Sequence, residues 1–162
     1  MKTGWKTLVR EERITDIRDW VKETAQNELE VHVGTDSLQT GKYTQFVTVV
    51  VIHRPGKGGR VAYTREVVPR IKQLRERLLK ETYKSTELAL EILDSCPADL
   101  TIHIDANTDE KHLSSKYYKE LVGLVMGQGF KAVVKPEAWA ATTAADHLVR
   151  HHGKLPYKEM TA

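Results

Sequence analysis

Leu29–Leu38 reads LEVHVGTDSL. The alternation predicts a strand in which Val31, Val33 and Thr35 face one way and His32, Gly34 and Asp36 the other. The strand ends on a carboxylate where a valine would be ordinary, and a half-buried carboxylate is costly unless it is paired or binds a cation. Asp36 therefore sets the question for the rest of the chain: which other residues share its surroundings.

To the C-terminal side, a turn centred on Gly41 leads to QFVTVVVIH, Gln45–His53. That run is β-branched and nearly continuously apolar, as expected of a strand covered on both faces. RPGKGGR (54–60) reads as a basic turn, Val61–Val68 as a third strand antiparallel to the second, and Pro69 as its end. A long helix is expected over 71–94, a strand over Leu100–Asp105, a helix over 115–126 ending at Gly127 and Gly129, and a fifth strand over Phe130–Lys135. Pro136 then opens a final helix over about 138–151. To the N-terminal side, 11–27 reads as an amphipathic helix with Ile14, Ile17, Trp20, Val21 and Thr24 on one side, behind a loose basic lead-in. The expectation is an α/β domain with a mixed five-stranded sheet, three antiparallel strands followed by βα units, flanked by helices and preceded by an extra N-terminal helix. Its boundaries fall at 1–28 for the extension, 29–152 for the domain and 153–162 for a flexible tail.

Three further acidic residues occupy comparable positions. In the long helix Leu74, Leu78, Glu81, Ser85, Leu88 and Ile92 follow one face, with Glu81 where a leucine is expected. Asp105 ends a strand on the face it shares with His103, opposite Ile102 and Ile104. Asp146 lies at the edge of the small apolar stripe Ala141, Ala144, Ala145 and Leu148 of the last helix. The competing readings are a structural salt bridge for Glu81, turn or cap roles for the aspartates, and a hydrogen-bonded structural role for His103. Four such carboxylates together would suit Mg²⁺ or Mn²⁺. Two such ions ~3.5–4 Å apart would serve an in-line phosphoryl displacement.

The segments VHVGTDS, FVTVVVIHRPGKGGR, ETYKSTELALEIL, TIHIDAN and VMGQGFKAVVKPEAWAATTAADH resemble the ribonuclease H-like superfamily, and within it the YkuK-type family of predicted RNase H-related nucleases. The resemblance spans about 29–150. It implies three antiparallel strands followed by alternating helices and strands. It also matches Asp36, Glu81, Asp105 and Asp146 to that superfamily's metal-binding acidic residues, and so implies a Mg²⁺- or Mn²⁺-dependent nuclease acting on RNA, DNA or a hybrid of the two.

The helix carries Arg75, Arg77, Lys80 and Lys84 close to this set, and Lys135 ends strand five; these are the candidate phosphate contacts. The net charge of +3 permits a nucleic-acid partner without demanding one. No apolar run approaches the ~20 residues of a bilayer span, and the N-terminus lacks the apolar core of a signal peptide. The one cysteine, Cys96, fits a reducing, cytoplasmic compartment. A binding module without turnover is the main alternative. An actin-like nucleotide hydrolase is disfavoured, because it needs two domains.

Overall fold

A computed structural model describes residues 1–25, 29–96 and 98–142. Strands β1 (Trp5–Thr7), β2 (Arg13–Ile14), β3 (Glu30–Thr40), β4 (Tyr43–Arg54), β5 (Gly58–Pro69), β6 (Asp99–Asn107) and β7 (Lys131–Lys135) form one sheet in the order β2-β1-β5-β4-β3-β6-β7. β3, β4 and β5 are antiparallel neighbours, whereas β6 and β7 add in parallel. The α-helices among the described residues are α1 (Ile17–Thr24), α2 (Leu74–Ile92) and α3 (Tyr118–Gly127), with short 3₁₀ turns at Leu93–Ser95 and Leu113–Lys116 and a helical turn beginning at Ala140.

β4 runs through the centre of the sheet and is buried without interruption from Thr44 to Ile52. Both faces are therefore covered, as its unbroken apolar run requires. On one face Val31, Val33, Val50, Ile52, Ile102 and Ile104 pack with Val21 of α1, Leu88 and Ile92 of α2, and Leu121 of α3. On the other, Val47, Val49, Val51 and Tyr63 pack with Leu8, Ala140 and Ala141.

The N-terminus corrects the sequence reading. Residues 1–8 are not a loose lead-in, and the sheet has seven strands rather than five. An exposed β5 edge would leave a row of unpaired N–H and C=O groups. The first residues satisfy it: Thr3 N–H donates to Arg65 O, Leu8 N–H to Val61 O, and β1 pairs with β5. The helix expected over 11–27 is shorter, because Arg13 and Ile14 pair with β1 and Asp16 caps α1 by accepting Arg18 N–H at 2.8 Å. At α2, Gln73 is still extended, so the helix begins three residues later than expected.

Gly34 has a packing role. A Cβ there would stand 3.1 Å from Ala141 N and 3.2 Å from Ala141 Cβ. The missing side chain is what lets the helical turn at Ala140 and Ala141 lie on β3. Gly34→Val is expected to cost about 1–3 kcal/mol through overpacking, measured as a lower denaturant midpoint; an unchanged midpoint would show that the turn does not press on this strand.

Candidate active site

Register brings Asp36 and Asp105 together. β3 and β6 run parallel with Gly34 opposite His103, and two residues further along the same offset places Asp36 beside Asp105. Neighbouring strands lie ~4.8 Å apart, and the Asp105 carboxyl raises the proton affinity of Asp36.

α2 delivers the third carboxylate by a matching of rises. Thr35 Oγ1 and Ser85 Oγ hydrogen-bond at 2.8 Å. Two residues on along the strand, Ser37 Oγ–H donates to Glu81 Oε1 at 2.5 Å, four residues back along the helix. Two strand residues advance ~6.8 Å and four helix residues ~6 Å, so the second contact follows from the first. Glu81 is buried, as the helical face predicted, together with Leu78, Ser85, Leu88 and Ile92.

The site is short of positive charge. Glu81 Oε2 is buried and has no hydrogen-bond partner among the described residues. Burial, followed by the fields of Asp36 and Asp105, pushes the Glu81 carboxyl up to about 8 against the pull of Ser37 and Arg77. Burial and then Asp105 push Asp36 up to about 7, although the Ser37 N–H bond at 2.8 Å and Lys135 oppose this. Lys135 Nζ forms an ion pair with Asp105 Oδ1. Burial lowers the lysine's proton affinity, but Asp105, Asp36 and Glu81 outweigh it and the net shift is upward. An irregularity in β6 between Ile104 and Asn107 places Lys135 opposite Asn107, which re-aims the strand end around Asp105. Asp146 lies outside the described residues.

The other basic candidates mostly have acidic partners. Arg75 pairs with Glu120, Lys80 with Glu76, and Lys84 with Glu66 while lying over Phe46. Arg77 is half-buried, with Nε unpartnered among the described residues. The acidic partners Glu66 and Glu120 come from other elements, so counting charges along α2 alone overstated the free basic surface. Ser37 was missed by the sequence reading, and its place after Asp36 was the available signal.

A second polar cluster lies toward the opposite end of β3. Glu30 Oε2 meets His32 Nε2 at 3.1 Å and His53 Nδ1 at 3.3 Å, and His32 Nδ1 meets His103 Nε2 at 2.8 Å. Burial, then His32, draws His103 down to about 4, and burial also lowers His32. His103 has the hydrogen-bonded setting expected of it.

A family model described as Ribonuclease H-like matches residues 12–150. The chain belongs to this ribonuclease H-like family. The matched span includes β2 to β7 and the three acidic residues, of which Glu81 is buried and Asp36 and Asp105 are half-buried. A relative from Bacillus subtilis (strain 168), "Uncharacterized protein YkuK", is 29% identical over 149 residues, covering 83% of this chain and 87% of its own length. No solved structure matches the chain with comparable significance. Membership of the ribonuclease H-like family accords with the mixed sheet, and it suggests a nuclease-related function.

Proposed function

We propose that the protein is a metal-dependent nuclease that hydrolyses phosphodiester bonds of RNA or DNA, with Asp36, Glu81 and Asp105 holding Mg²⁺ or Mn²⁺ and Asp146 as a fourth ligand. The carrying observation is the buried Glu81 Oε2 without a donor among the described residues, beside two further carboxylates from separate strands. A cluster of hard oxygen atoms whose ionised forms have too little positive charge around them fits a divalent cation bound by carboxylates. When bound, two such ions would supply Lewis acidity toward the scissile phosphate and the attacking water.

The chain's own residues hold these carboxyl groups in place. Ser37 Oγ–H and the Ser37 N–H orient Glu81 and Asp36 respectively. Lys135 steadies Asp105 and stands where a phosphate oxygen could also be met. Asp36 and Glu81 retain protons near neutrality, so that cation binding is coupled to their release.

The test is a cleavage screen over single-stranded, duplex, hybrid and branched RNA and DNA with Mg²⁺ and Mn²⁺. Cleavage of at least one substrate, abolished by EDTA, is expected. Tight binding to one of them without turnover under either ion would instead favour the binding module. One observation gives that rival its standing: the Lys135–Asp105 pair already supplies part of the missing positive charge.

Lys135→Gln separates the two readings. In the nuclease a divalent cation takes over the compensation of Asp105. The variant should therefore melt lower than wild type in EDTA and gain more on adding Mn²⁺, read by thermal unfolding. An Mn²⁺ response absent from both proteins would count against the cation site.

A further inference from the structure

The helical turn beginning at Ala140 starts at a place where three histidines, a glutamate and a tryptophan meet. The ligand atoms of Glu30, His32 and His53 lie within 4.8 Å of one another, a spacing that would admit a metal ion. The hydrogen-bond directions argue otherwise. We propose that Glu30, His32 and His103 form a one-way hydrogen-bond chain that latches the helical turn beginning at Ala140 onto β3 and β6, a positioning device and not a metal site. This goes beyond the nuclease reading and does not depend on it.

The direction follows from one main-chain donor. Trp139 N–H can only donate, and it meets His103 Nδ1 at 3.0 Å; Ala140 N–H approaches the same atom at 3.5 Å. His103 Nδ1 must therefore carry a lone pair, and a neutral imidazole then holds its hydrogen on Nε2. That N–H donates to His32 Nδ1 at 2.8 Å. His32 Nδ1 is thereby an acceptor, so His32 holds its own hydrogen on Nε2 and donates to Glu30 Oε2 at 3.1 Å. His53 Nδ1–H donates to the same oxygen at 3.3 Å.

A metal on His32 Nε2 would need a lone pair there and a hydrogen on Nδ1, because metal-bound histidines donate their other nitrogen to an acceptor. That hydrogen would meet the His103 Nε2–H head on. The chain and the metal exclude each other, and the backbone amides choose the chain.

The consequence lies at the helix start. The first N–H groups of a helix have no partner within it, and His103 Nδ1 accepts there as a cap brought from a distant strand. The Trp139 ring covers the arrangement, its centroid 4.7 Å from that of His32 and 4.9 Å from that of His103. Gly34 admits Ala141 against the neighbouring strand. Gly34 and His103 face each other in the β3–β6 register, and each stands two residues before an acidic residue, Asp36 and Asp105. The latch thus ties the turn to the same two strands, one pleat repeat short of the carboxylates.

The test is nitrogen NMR of ¹⁵N-histidine-labelled full-length protein. His103 and His32 should each show a protonated Nε2 and an unprotonated Nδ1, and His53 a protonated Nδ1. These signals should stay unmoved by Zn²⁺. A protonated Nδ1 on His32, or Zn²⁺ binding at its Nε2, would overturn the proposal.

Two variants test the anchoring. His103→Asn keeps an acceptor close to the place of Nδ1, whereas His103→Leu removes it. Exchange of the Trp139 amide hydrogen should stay within about threefold of wild type in the Asn variant. It should quicken at least tenfold in the Leu variant, while amides of central β4 stay protected. Unchanged Trp139 protection in a folded Leu variant would also overturn the proposal. If that variant does not fold, the wild-type tautomers decide. All of these readouts are independent of nuclease activity.

Discussion

Asp36→Asn is expected to reduce Mg²⁺-dependent cleavage by roughly 10³-fold or more, because a metal ligand contributes several kcal/mol of charge stabilisation to the transition state. The same substitution should stabilise the metal-free protein at pH 8. Asp36 has its carboxyl raised to about 7 in the folded chain, from an ordinary value of 3.8. A carboxyl held high binds its proton more tightly folded than unfolded, so stability falls as pH rises from the unfolded value through the folded one. The full penalty is present above about pH 7 and absent below about pH 4, and it amounts to at most about 4 kcal/mol for this group. Asparagine has no such charge to bury. Thermal unfolding in EDTA should therefore show the variant more stable than wild type at pH 8, and the two converging at pH 4. A fully active variant, or one no more stable than wild type at pH 8, would contradict the account. A general loss of folding would be visible as a lower midpoint at both pH values, which separates it from the loss of a ligand.

The second large effect is a proton–metal exchange. Near neutrality Asp36 and Glu81 retain protons, with Glu81 raised to about 8 by burial first and by its acidic neighbours next. A divalent cation binds their ionised forms, so it must displace protons. Each displaced proton makes the apparent affinity rise tenfold per pH unit until its group is ionised. Between pH 6 and pH 7 the apparent Mn²⁺ affinity should thus increase between about tenfold and hundredfold, and the rise should flatten above pH 8. Calorimetry in buffers of different ionisation enthalpy would count the protons released. Affinity independent of pH, with no protons released, would place the ion elsewhere. Glu81→Gln should remove one proton from that count and flatten the profile accordingly.

How much of this was legible before the structure depends on the kind of signal. Asp36 and Asp105 could be read because strand periodicity marks a carboxylate sharing a face with glycine or histidine, and Glu81 because helical periodicity marks a charge in a leucine row. Their convergence was legible only through the family resemblance, since it depends on the β3–β6 register and on Thr35 and Ser85 fixing α2. The two short N-terminal strands could not be read. β1 has three residues and β2 has two, too few for any periodicity, and they form because β5 offers an open edge. The ion pairs of Arg75 and Lys84 were likewise hidden, since Glu120 and Glu66 are 45 and 18 residues away in the chain. His32 was read as facing opposite to Val31 and Val33, and so it does, but its partners include residues of β4 and β6 and Trp139. A hydrogen-bond chain of that kind leaves no local pattern.

The most direct measurement is a crystal structure of the protein grown or soaked in manganese, with anomalous scattering used to locate the ion. The account predicts a manganese peak ligated by Asp36, Glu81 and Asp105, with Glu81 Oε2 engaged. A site without manganese, in which Lys135 still holds Asp105 and Glu81 Oε2 has no ligand or donor, would contradict it.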